Sequence, residues 1–231
     1  GSRASAKRMG AMADLSAVHL ALRARAETLV VATTGTIALA ATTTGYTRST
    51  GSFIADGFTV GSEITPSGFV TNTRRVITRV QALTLTVSTT VSPEAESSGR
   101  SLVVGVPALF AKENTIFTPV AGRPYLVEEF DPSTNVLRAG PAASGVREET
   151  GMYHLRWYGL ANTGMLGIRQ AVQALAAQFT PGTNLSAGAD TVRIRGDVGA
   201  MVSRIAPRED GWAVCVLSIS WRVFSTNVVA T

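Results

Sequence analysis

The sequence is poor in the residues that build disulfides and metal sites. It has one cysteine, Cys215, and two histidines, His19 and His154. A single cysteine excludes an internal disulfide and is typical of a reducing compartment. The zinc-site spacings C-x-x-C and H-E-x-x-H do not occur. We therefore predict no metal site, no cofactor and no disulfide.

Charged residues are also scarce, at 16% of the chain, against roughly 25% in a typical soluble domain. Hydrophobic residues make up 45%, so the chain can bury a large core. This balance suggests that partner subunits cover part of the surface. Of the net charge of +5, Arg3, Lys7 and Arg8 supply three, and the rest is too weakly basic to indicate a nucleic-acid-binding surface.

Long apolar runs are missing as well. The most apolar window, residues 29–41, is short and interrupted by threonines, which excludes a transmembrane helix there. The basic start leads into polar residues, so no signal peptide is recognisable. We expect a soluble protein made in the cytoplasm. Residues 1–11 resemble a cloning remnant before a natural start at Met12, and a short basic arm is the alternative.

Two glycines, Gly159 and Gly164, have the five-residue spacing of a phosphate-binding loop. That loop needs Lys and then Ser or Thr after its second glycine, but Met165 and Leu166 stand there. The interpretation is a structural turn between a strand and a helix, with Asn162 or Thr163 capping the helix.

The first 112 residues predict one helix and then a small all-β unit. Asp14 is expected to cap a helix with an apolar side at Leu15, Val18 and Leu22. Of 28 threonines, 17 lie between residues 33 and 90, where short strands and glycine turns alternate. The predicted core of this unit is Phe58, Val60, Ile64, Phe69, Val76, Val80, Leu85 and Val87. Residues 92–99 are interpreted as a polar linker.

The second half predicts long strands around one more helix. A strand ends at Asp131-Pro132, a loop follows over residues 133–146, and a strand covers 150–158. A helical stripe of Met165, Ile168, Val172, Leu175 and Phe179 comes next. Strands at 192–195 and 201–205 and a turn at 209–211 lead into a last strand, residues 212–224.

The predicted fold class is α+β, a mixed or antiparallel sheet flanked by helices and interrupted by an all-β insertion. The main domain comprises residues 13–32 and 113–226, and the inserted all-β domain comprises residues 33–112.

No catalytic constellation is recognisable. His19 is expected on a helix, His154 in a strand, and Cys215 inside another strand, where a small buried hydrophobe is the default. The pairs Glu128-Glu129 and Glu148-Glu149 are adjacent, so in a strand their members point to opposite faces. We predict no enzyme and no catalytic, cofactor-binding or metal-binding residues.

Aromatic residues concentrate on two predicted strands, with Tyr153, Trp157 and Tyr158 on one and Trp212 and Trp221 on the other. They would suit base stacking, but only Arg156 and Arg222 lie among them, and stacking platforms need a basic groove. Sheet core or subunit interface is the favoured interpretation.

Four segments together resemble the tail terminator, or tail completion, proteins of long-tailed bacteriophages. They are the first helix (15–29), the strand at 122–130, the strand–turn–helix at 152–179 and the closing strand at 212–223. The resemblance covers the first helix and about residues 115–224. Residues 56–88 also look like a small β module of phage virion proteins, which departs from the compact terminator pattern.

The resemblance implies a structural virion protein that forms a ring, usually of six subunits, on the head-proximal end of the tail tube. Such a ring stops tube polymerisation and offers a docking surface to the head's connector, and DNA passes through its lumen without being read. The expected partners are therefore further copies of the chain, the tail tube protein and the connector or neck protein. A head–tail connector or tail-tube subunit is the first alternative, and a nucleic-acid-binding protein or enzyme is the second.

Overall fold

The structure is a computed structural model that describes residues 13–113, 115–139, 146–161, 165–196, 199–208 and 210–226. The expected remnant at 1–11, the expected start at Met12 and the expected caps Asn162 and Thr163 lie outside these ranges.

Two helices and fifteen strands occur in the described part. The helices are α1 (Leu15–Glu27) and α2 (Leu166–Gln178). The strands of the first half are β1 (Val30–Thr33), β2 (Ile37–Thr42), β3 (Gly45–Thr47), β4 (Glu63–Ser67), β5 (Arg75–Val80), β6 (Thr84–Val87) and β7 (Glu94–Gly105). Those of the second half are β8 (Leu109–Ala111), β9 (Tyr125–Ala139), β10 (Val146–Leu160), β11 (Asn184–Ala187), β12 (Asp190–Ile194), β13 (Ala200–Val202), β14 (Ala206–Pro207) and β15 (Trp212–Thr226).

Strands β2 to β7 form a closed barrel. Its hydrogen-bonded order is β7-β2-β3-β6-β5-β4, and β4 pairs again with β7, while β1 pairs with the last residues of β7. Closure removes free strand edges, so short, threonine-rich strands can form a stable unit. The predicted hairpin across residues 81–82 is confirmed by the pairing of Val80 with Leu85.

The predicted barrel core is largely confirmed. Five of its residues lie in the apolar cluster inside the barrel: Phe58, Ile64, Phe69, Leu85 and Val87. Val80 packs against that cluster, Val76 is buried outside it, and Val60 is half-buried.

The second sheet has the order β11-β12-β15-β10-β9-β8, and β13 and β14 also pair with β15. It forms a half-barrel. All its pairs are antiparallel except β8 with β9. Strand β15 therefore pairs with β10 on one side and with three short strands on the other.

Both helices form where the apolar spacing predicts them. The Asp14 carboxylate accepts hydrogen bonds from the Ser16 and Ala17 amides at 3.0 and 3.2 Å, which confirms the predicted cap. Val18 and Leu22 are fully buried, and so is Leu175 of α2. Helix α2 begins at Leu166, and Met165 in its N-cap position makes no side-chain cap bond. No helix in the described part is long and apolar enough to cross a membrane.

A buried carboxylate joins the barrel to the second sheet. Glu63 of β4 is 5% exposed. Its carboxylate accepts a hydrogen bond from Arg123 Nε at 3.1 Å and another from the Ala108 amide at 2.6 Å. Arg123 and Ala108 precede β9 and β8, so one side chain of the barrel fixes the start of both strands.

The predicted α+β class is wrong. The molecule is mostly β, with 49% of residues in strands and 14% in helices, arranged as a closed barrel and a half-barrel. The two predicted helices exist, but both pack into the same cluster on one side of the second sheet and do not flank it. Residues 94–99 and 133–139, interpreted as linker and loop, are strands, which shifts the balance to β.

Two of those segments show the physical reason. Residues 92–99 are not a linker, because Glu94–Gly105 is the twelve-residue strand β7. Its first half has exposed polar side chains, yet its backbone pairs with β2. Similarly, β9 does not end at Asp131-Pro132 but continues to Ala139, paired with β10. Backbone hydrogen bonds between strands need no apolar side chains, so the polar sequences of these two segments did not indicate strands.

Gly151 of β10 allows β9 to shift its register at this point. A Cβ there would lie 2.5 Å from the Asp131 carbonyl oxygen and 2.5 Å from the Trp221 ring. We expect Gly151→Ala to lower the free energy of unfolding by about 1–3 kcal/mol, because backbone and a packed ring must move. Urea denaturation measures the change.

The control is Gly196→Ala, since nothing lies within 4 Å of a Cβ at that position. Its effect should stay within about 0.5 kcal/mol. Equal stability of the two variants would contradict the steric account.

Candidate assembly surface

Three strands of fifteen residues, β9, β10 and β15, form the centre of the second sheet. β10 pairs with β15 from Val146↔Thr226 to Leu160↔Trp212 without a shift. Successive side chains of a strand point to opposite faces, and directly paired residues share a face. The register therefore divides these strands into two faces.

One face is covered by the helices. It carries Tyr153, Leu155 and Trp157 of β10, whose partners on β15 are Ile219, Leu217 and Cys215. All six are buried and belong to one apolar cluster with Val18, Leu22, Ile168 and Leu175 of the helices. This face is the core of the second sheet.

The other face, here called the open face, remains half-exposed. Its residues come from all three long strands: Val127, Met152, His154, Arg156, Tyr158, Val214, Val216 and Ser218. None of them belongs to either apolar cluster. A half-exposed sheet face with valine, methionine and tyrosine side chains is a surface suited to contact with another protein.

At one end of the open face, aromatic rings pack on each other. Tyr125 stacks on Tyr158 with ring centroids 4.3 Å apart and meets Trp212 edge-on at 4.9 Å. Burial, and then the neighbouring Tyr158, raise the pKa of Tyr125 to about 12. This phenol therefore stays neutral at physiological pH. Of the predicted aromatic set, Tyr153, Trp157 and Trp221 are buried on the covered face.

At the other end, two apolar side chains flank an ionic group. Val136 and Phe224 are each 42% exposed, and both pair with Glu148 of β10. Arg138 and Arg222 both form ion pairs with Glu148. The sequence missed this end of the surface, because residues 133–146 were predicted to be a loop.

Helix α1 is held on the covered face by a buried carboxylate. The Glu128 side chain is fully buried and forms a two-point ion pair with Arg23 of α1. It also accepts a hydrogen bond from the Tyr153 hydroxyl at 2.8 Å and one from the Glu113 amide at 3.2 Å. His19 lies beside it, stacked on Phe130 at 4.7 Å.

These contacts determine the charge state of Glu128. Burial alone would raise its pKa, but hydrogen bonds from Arg23 and Tyr153 and the charge of Arg23 outweigh burial and lower the pKa. Burial and the nearby Glu128 raise the pKa of Tyr153. Glu128 is thus an ionised acceptor and Tyr153 a neutral donor.

The residues considered for catalysis do not come together. His154 lies on the open face, where its Nδ1 is 2.9 Å from the Ser218 Oγ. Cys215 lies on the covered face, and its thiol donates to the Ser203 carbonyl at 3.3 Å. Burial raises the pKa of Cys215, the opposite of what activates a nucleophilic thiolate.

The adjacent acid pairs point to opposite faces, as predicted. Glu128 is buried beside α1, whereas Glu129 pairs with Arg156 on the open face. Glu148 binds Arg138, whereas Glu149 accepts a hydrogen bond from the Ala13 amide at 3.0 Å. Within the described ranges, no three His, Cys, Asp or Glu side chains are placed to hold a metal ion.

Comparison with known proteins assigns the family. A family model described as "Phage tail terminator protein" matches residues 102–221, which run from β7 into β15. The chain belongs to the phage tail terminator family. The resemblance seen in the sequence is confirmed, although α1 lies outside the matched range.

Other comparisons add little. No curated protein matches the chain at a significant level. One solved structure, described only by a sequence identifier, is similar at 21% identity over 52% of this chain and 79% of its own, with a TM-score of 0.40.

The family determines the general role of the protein. Tail terminators are structural, non-enzymatic virion proteins, so this chain is a structural component of a bacteriophage tail. The relevant surfaces are therefore those available for assembly, and the open face is the foremost of them.

We predict that Glu128→Gln lowers the free energy of unfolding by about 3–5 kcal/mol, because it leaves Arg23 without its buried partner. The lowered pKa of Glu128 also predicts acid sensitivity. Its contribution is complete above the unfolded-state pKa of about 4.3 and is lost as pH falls through the lower folded-state pKa. Urea denaturation between pH 7 and pH 3 should show a flatter pH dependence in the variant.

The matched control is Glu129→Gln, one residue further along β9. Glu129 and Arg156 are 46% and 41% exposed, so their ion pair should contribute about 1 kcal/mol or less. If both variants lost the same stability, the buried pair would not be the anchor of α1.

Proposed function

We propose that this tail protein forms a closed ring, of six subunits, at the head-proximal end of the tail tube. The ring ends polymerisation of the tube and provides the surface on which the head is joined. The family match carries this proposal. Each subunit assembles in the host cytoplasm and becomes part of the virion.

The open face supports the choice of a ring. A ring is built from heterologous contacts, in which one surface of a subunit meets a different surface of the next. The open face supplies a large half-exposed sheet surface, and the chain has only 16% charged residues. A surface of that kind is typical of a stable interface between subunits rather than of a surface exposed to solvent.

The unpaired edge of β9 also supports the proposal of a ring. β8 pairs only with Tyr125, Leu126 and Val127, so within the described ranges the rest of β9 has a strand on one side only. Unpaired backbone groups on a strand edge are a template for another chain. In the proposed ring, this edge and the open face carry the contacts between subunits.

The partners follow from this arrangement. One side of the ring binds the tail tube protein, and the other binds the connector or neck protein. DNA passes through the lumen without sequence-specific contacts. The division into a terminator domain (13–32 and 113–226) and an inserted barrel (33–112) stays a prediction, and the barrel is proposed to project outward or toward the neck.

The first test combines light scattering with negative-stain microscopy of the protein alone and mixed with purified tail tubes. We expect a closed ring of six that binds one end of each tube and stops its growth. Rings that stack into long tubes would instead identify a tube subunit. Failure to bind tube ends in any state would contradict the terminator role.

A surface variant tests the ring contact. We expect Val136→Ser with Phe224→Ser to reduce the native mass to that of smaller species, because both side chains are exposed at the end of the open face. Because both side chains are exposed, the two substitutions should change the free energy of unfolding only slightly.

The control is Val70→Ser, which changes a valine that is 88% exposed in a barrel loop. It should leave the ring intact. A double variant that keeps its full native mass would exclude this end of the open face from the ring contact.

A further inference from the structure

A groove of about 400 Å³ opens beside the start of α2, against the segment from Val202 to Ile205 and strand β15. Its apolar lining includes Met165, Val202, Ile205 and Cys215. Cys215 belongs to the face covered by the helices, so the groove lies on the opposite side of the sheet from the open face. Ring contacts through the open face would leave it accessible.

The wall of the groove is held in place by hydrogen bonds. The Ser203 amide donates to the Val216 carbonyl at 2.8 Å, and the Val216 amide donates to Ser203 Oγ at 2.8 Å. The Cys215 thiol donates to the Ser203 carbonyl. A preformed concave site of this volume is typical of one that receives a ligand or a peptide segment.

Apolar surface continues around the groove. Leu166, next to Met165 at the start of α2, is 59% exposed, and Val202 is 46% exposed. Two exposed hydrophobic side chains beside one apolar groove extend its apolar surface. This surface favours an occupant with a bulky apolar side chain.

Two cations border the groove. Arg169 of α2 and Arg204 line the groove, and both side chains are exposed. Neither forms an ion pair with a carboxylate of the described residues, and the first turn of α2 has no acidic residue. By contrast, Arg23 and Arg123 each bind a buried glutamate of the chain itself. The two guanidinium groups at the groove are thus available to external carboxylates.

We propose that this groove binds an acidic segment of a different protein, in which a bulky apolar side chain is flanked by carboxylates. The apolar side chain enters between Met165 and Ile205, and the carboxylates meet Arg169 and Arg204. A second copy of the chain suits the site less well, because the chain is net positive even without Arg3, Lys7 and Arg8, at 5 − 3 = +2. The site is distinct from the proposed ring contact and does not depend on it.

The test uses the full chain with methyl-labelled methionine and isoleucine and two capped peptides. One peptide has Leu-Phe between pairs of aspartates, and the other has asparagine at each aspartate. We expect the acidic peptide to shift the Met165 and Ile205 methyl signals saturably and to bind about tenfold more tightly than the neutral one. Equal binding of both peptides, or no shift at either methyl, would overturn the proposal.

Variants separate a local charge effect from a general one. Arg169→Gln with Arg204→Gln should abolish the preference for the acidic peptide. Arg79→Gln with Arg193→Gln removes the same charge from exposed arginines elsewhere and should preserve it. If both double variants lost the preference equally, attraction by net charge would replace the groove as the explanation.

Light scattering tests the competing occupant. The variant lacking Arg169 and Arg204 should keep the native mass of the unmodified chain. A change in native mass would show that a second copy of the chain occupies the groove, and it would overturn the proposal of a foreign acidic partner.

Discussion

The buried ion pair between Glu128 and Arg23 fixes helix α1 against one face of the long sheet. A fully buried carboxylate is costly unless cations and donors surround it, and here Arg23, Tyr153 and the Glu113 amide do so. Arg23 belongs to α1, so satisfying Glu128 requires α1 to lie on that face. Burial of apolar side chains stabilises the helix there but does not fix its exact position. The ion pair does, because the guanidinium group must meet the carboxylate in one geometry.

A second buried carboxylate has the same role between the two sheets. Glu63 is part of the barrel, and its carboxylate binds Arg123 and the Ala108 amide. Both of these residues precede strands of the half-barrel. Two apolar clusters, one in the barrel and one under the helices, are thus joined by a directional contact. Few charged residues are present, and several of them are used inside the molecule.

Much of this structure could be predicted from the sequence, and the failures have two physical causes. Side-chain periodicity predicted both helices, the Asp14 cap, most of the barrel core and the opposite orientation of Glu128 and Glu129. It failed for β7 and for the second half of β9, where backbone hydrogen bonds hold polar residues in strands. The α+β class was wrong for that reason. The Glu128 and Glu63 contacts were also beyond prediction, because Arg23 and Arg123 are 105 and 60 residues away in sequence.

The pairing of arginines with carboxylates also distinguishes the two proposed contact surfaces, the open face and the groove. On the open face, Arg156 and Arg222 are already paired with Glu129 and Glu148, so this face offers a neutral, partly apolar surface. A neutral surface can pack against a copy of the same chain without electrostatic cost. At the groove, Arg169 has no such partner among the described residues, so its environment favours a chain of the opposite charge. In the proposed arrangement, contacts with copies of the chain and contacts with a foreign acidic segment therefore lie on opposite sides of one sheet.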